Sequence, residues 1–234
     1  VTPFRSTPDG YVARWEAVEC HVLARVARDV AELVRAESGL GPDVEVGEGV
    51  AFTGVGLVPH DPAVQRLLPD AHRDDPDVAA DFRHLTQTDL AAAKVARLEA
   101  FADALDPEGD AHDDGELDEQ AWAGGAQILV PRDEAQAFAG ALTDVRIVLA
   151  ERLGLEDDAA VELLHDEVIA GVAGEESDDA DEPDDADGTG DAEDADDVTD
   201  GEQRRYWGGV FVAAGFAQES LVDEMLADLR AQRG

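Results

Sequence analysis

The sequence predicts a mainly α-helical protein: a bundle of about five or six helices with a small strand patch built from an N-terminal hairpin and residues 126–130. Three observations lead there. Apolar residues recur every three or four positions through several long stretches, the repeat of a helix with one buried face. Asp-Pro pairs stand in front of two helical stretches, an acid able to cap free amides followed by a residue suited to the first helical position. Strand signals are confined to residues 3–15 and to "QILV" at 127–130.

Along the chain, "PFRSTPDGYVARW" reads as two short extended pieces around Asp9 and Gly10. Val18, Val22, Val26, Val30 and Leu33 then mark one face of a helix over 16–38, closed by Gly39. Residues 39–58 are glycine-rich and without a period, hence a loop. Their "GVG" lacks the third glycine, the preceding strand and the following helix that pyrophosphate binding requires. Asp61-Pro62 opens a short helix to about Leu68. Asp75-Pro76 opens a long one to Leu105, with Val78, Phe82, Leu85, Leu98, Phe101 and Leu105 as its apolar stripe. The acidic, glycine-containing residues 106–125 are a connection, and "QILV" is a candidate strand that joins the hairpin. A helix over 132–153 carries Ala135, Phe138, Leu142, Val145 and Leu149 on one stripe, and another covers 156–170. The last helix, 203–232, places Leu221, Met225 and Leu229 at i, i+4 and i+8. Gly208, Gly209 and Gly215 lower its helix propensity, so it needs close packing against a neighbour.

Between Glu175 and Glu202 the chain holds sixteen acids and no base, with no apolar period. Such a stretch buries too little apolar surface to offset its ordering entropy. The expected organisation is therefore a helical core with its hairpin over 1–173, a disordered acidic insertion over 174–202, and a C-terminal helix over 203–234 that packs back on the core. A long loop closes at small extra entropic cost, so the core tolerates the insertion.

The net charge is -39, and the chain stays strongly acidic with the acid run set aside. That excludes phosphate-backbone contact as a main activity and disfavours anionic membrane surfaces. The longest apolar stretch, 206–216, is shorter than the roughly 18 residues that a membrane span needs. Only Lys94 among the seventeen bases is lysine, and Cys20 is the sole cysteine. Arginine in place of lysine with abundant Ala, Asp, Val and Gly points to an actinobacterial, GC-rich source, a haloarchaeal one being the rival. A chain with one cysteine fits a reducing, cytoplasmic setting.

Metal and nucleophile chemistry find little support. "PDDADGTGDAED" at 183–194 lies on a twelve-residue calcium loop only with Pro183 at its first position and Asp194 at its last, where an acid and a bidentate glutamate belong. His60-Asp61 and His165-Asp166 resemble the paired ligands of His-Asp phosphohydrolases, but Asp61 precedes proline and serves better as a cap. No His-x-x-x-His pair places two imidazoles on one helix face. Cys20 reads as a small core residue, because a nucleophilic thiolate needs a base and an electropositive setting. No cofactor, no metal site and no catalytic residue is assigned.

Several motifs occur together in a familiar order: Leu68-Pro69-Asp70-Ala71, Asp81-Phe82-Arg83-His84-Leu85-Thr86, Asp144-Val145-Arg146 and Gln218-Glu219-Ser220-Leu221. With the opening "PFR…DGYVARW", they resemble an uncharacterised actinobacterial family, the domain of unknown function numbered twenty-seventeen. His72 stands where that family's pattern has an aromatic, and Thr143 where it has asparagine. The resemblance implies genes that often lie near the Clp protease adaptor ClpS. It implies no catalytic signature.

The motifs supply a polar set from three helices: Arg83, Thr86, Asp144, Arg146, Gln218 and Glu219. Arg83 and Thr86 share a helix face at i, i+3. Two uses are open to the set. One is an Arg-carboxylate network that fixes helix register, with Arg83 and Asp144 as candidate partners; the other is a small pocket for a ligand or a partner's carboxylate. Two functions follow. The chain is expected to be either a non-catalytic helical module that binds a cytoplasmic protein, with the link to Clp-dependent proteolysis that the resemblance implies, or a small-molecule hydrolase that uses a polar pocket between helices.

Overall fold

The computed structural model describes residues 1–40, 58–72, 74–107, 125–178 and 192–233, with side chains described outside 172–200. Its elements are β1 (Arg5–Thr7), β2 (Gly10–Trp15), α1 (Ala17–Glu37), α2 (Pro62–Leu67), α3 (Pro76–Leu105), β3 (Ala126–Val130), α4 (Ala135–Arg152), α5 (Asp158–Asp178) and α6 (Ala192–Ala231). The protein is mainly α, with six helices and one three-stranded antiparallel sheet among the described residues. The chain divides into two compact units, Val1–Val148 with Ala214–Gly234, and Leu149–Ala213.

In the first unit, the hairpin pairs Arg5 with Val12 and Thr7 with Gly10, leaving Pro8 and Asp9 as the turn. The third strand is the expected "QILV" with Ala126 in front of it, and it pairs with β2 from Tyr11–Val130 to Trp15–Ala126. Gly10 has φ 149, and a Cβ there would lie 2.3 Å from the Val130 carbonyl oxygen. Only glycine allows the two backbones that approach. Alternation turns Tyr11, Ala13, Trp15, Ile128 and Val130 inward on one face. From that face an aromatic chain runs into the helices: Phe4 meets Trp15 at 5.7 Å and Phe138 at 5.9 Å, and Phe138 meets Phe101 at 4.6 Å.

Both Asp-Pro signals act as expected. Asp61 accepts from the Ala63 amide at 2.8 Å, and Asp75 from the Asp77 and Val78 amides at 3.1 and 3.2 Å. Helix α1 ends as anticipated at Gly39, φ 65, with the Leu40 amide on the Arg35 carbonyl at 3.1 Å. Its buried face is rotated from the expected stripe. Val26 and Val30 of that stripe are buried, Val22 and Leu33 half-buried and Val18 exposed, while Cys20, Leu23, Ala24, Ala27, Ala31 and Val34 complete the buried face. The small alanines, invisible to a count of large apolar residues, form the contact because they let a neighbouring helix come close. That neighbour is α3, on which Ala91, Val95, Leu98 and Ala102 are buried. Arg35–Glu99 (2.7 Å) and Arg28–Asp103 (3.5 Å) tie α1 to the second half of α3.

The expected α3 stripe is correct only for that half. Leu98, Phe101 and Leu105 are buried, whereas Val78, Phe82 and Leu85 face solvent; before Ala91 only Ala79 and Gln87 of this helix are buried. The expected stripe of α4, Ala135 to Leu149, is buried throughout. In the last helix only Leu221 of its expected triad is buried; Leu229 is exposed. Polar contacts replace apolar ones there. Ser220 accepts from the Phe4 amide at 3.2 Å, Glu224 from the Ser6 amide at 3.2 Å, and Asp228 from the Tyr11 hydroxyl at 3.0 Å and from Arg132 at 3.0 Å.

In the second unit, Arg204 donates to the Leu153 carbonyl at 2.7 Å. A Cβ on Gly208 would lie 2.7 Å from Leu164 Cδ1 and 3.2 Å from Val168, and Leu164 is buried. The glycine thus serves the close packing that its low propensity implied. Gly209, with nothing within 4 Å of such a Cβ, does not. Of the acidic stretch 174–202, residues 179–191 lie outside the described ones, as do 41–57 and 108–124 of the expected loop and connection. Its two ends extend α5 to Asp178 and start α6 at Ala192, ahead of the expected start at 203. Partial positive charge at a helix N-terminus makes an acidic sequence a permitted start.

Candidate functional site

Asp144, on α4, is the most deeply buried charged group among the described residues, at 1% exposure. Helix periodicity places it on the same inward face as Ala141, Val145 and Val148. Two cations from α3, three residues apart and so on one face, close on it. Lys94 Nζ donates to one carboxylate oxygen at 2.8 Å, and Arg97 Nε donates to the other at 2.9 Å, with a second Arg97 nitrogen on the same oxygen. Gly140, one turn before Asp144, makes the room: a Cβ there would stand 3.2 Å from the Arg97 guanidinium. Both oxygens are engaged, and Lys94 is itself buried. The arrangement is a closed charge cluster, which holds α3 against α4 in one register.

A second polar chain starts one residue earlier. Thr143 donates to the Ala139 carbonyl at 3.0 Å and accepts from Gln218 at 2.6 Å, while the Gln218 carbonyl oxygen accepts from Arg146 at 2.8 Å. Gly215, one turn before Gln218, leaves space for the guanidinium, 3.4 Å from where its Cβ would be. Burial pulls Arg146 below the ordinary guanidinium pKa, opposed by the charge of Glu219. Glu219 itself is exposed.

The third place is open. Arg83 donates to Asp70 in the turn after α2, and Thr86 donates to the Phe82 carbonyl of its own helix at 2.9 Å. Beside them lies a small solvent-connected recess of about 80 Å³, where Leu68, Pro69, Ala71, Phe82 and Leu90 share the wall with Asp70, Arg83, Thr86 and Gln87. Elsewhere the thiol of Cys20 is pushed up to about 11 by burial, with the nearby Glu19 adding to it. Among the described residues no three His, Cys, Asp or Glu side chains stand close enough to share a metal ion, and no helix is long and apolar enough to cross a membrane. Asp61 is occupied as a cap, and His165 and Asp166 are exposed.

The family model described as Domain of unknown function (DUF2017) matches residues 1–225. The chain belongs to this family. No curated protein and no solved structure matches it.

The DUF2017 motifs therefore do not converge on one site. Thr143, Arg146 and Gln218 form one chain; Asp144 takes Lys94 and Arg97; Arg83 and Thr86 stand by the cavity. The expected Arg83–Asp144 pairing is wrong. Arg83 lies more than two turns before Lys94 on α3 and pairs with Asp70 instead. Lys94, Arg97, Asp70 and Thr143 were missed as partners. A signal existed for the first two: the sole lysine and an arginine three residues on share a helix face with the apolar Val95 and Leu98 close by. The two residues expected to depart from the pattern, Thr143 and His72, both make contacts. Thr143 joins the Gln218 chain, and His72 Nδ1 accepts from the Asp75 amide at 3.0 Å.

Proposed function

We propose that this DUF2017 chain is a non-catalytic helical module that binds another cytoplasmic protein, in a role connected with Clp-dependent proteolysis. One contrast carries the reading. The buried polar centre is filled and its carboxylate neutralised, while Val78, Phe82, Leu85 and Leu90 on α3 are 47%, 52%, 61% and 44% exposed. A carboxylate whose two oxygens are both bound offers a substrate no free acceptor; clustered exposed apolar side chains are what a protein interface uses. The acidic surface adds partner choice, because it speeds encounter with basic patches. The Clp connection rests on the gene context that the family resemblance implies.

The cavity beside Arg83 is the observation that favours the hydrolase. Two of its polar groups are already engaged: Arg83 with Asp70, and the Thr86 hydroxyl with its own helix. The deciding experiment is affinity capture from the native cell with the full chain, then reconstitution with the purified retained protein. Saturable binding to that protein supports the module. A purified chain that binds no protein and hydrolyses a small molecule, with the activity lost in Arg83→Ala, overturns it.

A further inference from the structure

We infer that the exposed face of α3 between Asp77 and Leu90 receives a basic amphipathic helix of the partner protein. The inference rests on the reading of the chain as a binding module and names its surface. Two adjacent rows at four-residue spacing run along this half of the helix. One is Val78, Phe82, Thr86 and Leu90; the other is Asp77, Asp81, Leu85 and Asp89. All eight residues are exposed. Phe82 and Leu90 of the apolar row also wall the small recess, opposite Leu68, Pro69 and Ala71 and beside Asp70 and Arg83. The second row presents three carboxylates around Leu85, and the segment 70–90 holds six aspartates against two arginines.

These features select the occupant. An apolar row beside a recess of mixed apolar and polar wall fits a helix that lays anchors at i, i+3 or i+4 and i+7 along it. The flanking carboxylates require that helix to carry Lys or Arg beside its anchors. A second copy would bring the same aspartates face to face on a chain of net charge -39, and nucleic acid or an anionic membrane would be repelled likewise.

The test uses the full chain and a labelled synthetic helix with leucines at three- and four-residue spacing and lysines elsewhere, read by fluorescence anisotropy. A probe with glutamates in place of the lysines is its control. The expected result is saturable binding of the lysine probe alone, weakened about ten-fold or more by Phe82→Ser with Leu85→Ser. Asp77→Asn with Asp81→Asn should weaken it less and flatten its salt dependence. Amide exchange should show protection at 76–90 on binding. Equal affinity for wild type and the Phe82→Ser, Leu85→Ser chain would reduce the binding to general charge attraction and overturn the inference. So would protection elsewhere, or self-association of the free chain that this double substitution abolishes. If the captured native partner is retained equally by that variant, the face is wrong while the module reading stands; if no protein is retained at all, the module reading itself fails.

Discussion

From Ala91 to Leu105, helix α3 buries Val95, Leu98, Phe101 and Ala102, engages α1 through alanine contacts and holds Asp144 of α4 with Lys94 and Arg97. From Asp77 to Leu90 the same helix, with a similar apolar period, leaves Val78, Phe82 and Leu85 in solvent. The two halves differ in what stands opposite them and not in their own pattern. Periodicity reports that a helix has an apolar face; it does not report what covers that face. If the second half serves stability and the first serves recognition, substitutions should separate cleanly between them.

The largest effect is expected at Asp144. Asp144→Ala leaves Lys94 buried without its counter-charge and should cost about 3–5 kcal/mol, read as a drop in the urea midpoint. Lys94→Met combined with Asp144→Leu should recover most of it, since apolar groups of similar volume replace a buried pair well and Arg97 is exposed enough to turn outward. Strictly additive single and double variants would mean that the two residues do not share a site.

Next comes Leu98→Ala, in the same half but without charge. Removing a fully buried leucine between α3 and its neighbours should cost about 2–5 kcal/mol, according to how far the alanine-lined contact can collapse. A cost under about 0.5 kcal/mol, the range of exposed substitutions, would show that this half is not the packed one.

Arg83→Ala should cost about 1–2 kcal/mol, because Asp70 is half exposed and rehydrates, while the Arg83 side chain, 15% exposed, loses some packing. A small value, weakening further with salt, would mark the Arg83–Asp70 contact as a surface tie. A loss as large as that for Asp144→Ala would make the first half structural after all.

Much of the fold was legible because its signals are local. A cap and a proline read the same in any context, so Asp61, Asp75 and Gly39 were placed correctly, as were the strand at 127–130 and the stripe of α4. What failed was relational. The buried face of α1 depends on alanines whose value lies in letting α3 approach. The partner of Asp144 depends on which half of α3 lies beside α4, and no spacing within one helix encodes that. The inward role of Gly208 was legible from its propensity cost, but that cost could not separate it from Gly209.

The smallest stability effect is the most telling one. Phe82→Ser together with Leu85→Ser removes two large apolar side chains, yet both are more than half exposed. Little burial is lost, and the polar substitutes meet water that is already there. The double variant should melt within about 0.5 kcal/mol of the wild type, with an unchanged denaturant slope, although a buried pair of the same residues would cost several. Retained stability with lost partner binding separates recognition from folding at residues that the sequence pattern alone assigns to the core. A cooperative transition displaced by several kcal/mol would show that the first half of α3 is packed in solution, and the comparison between its halves would collapse.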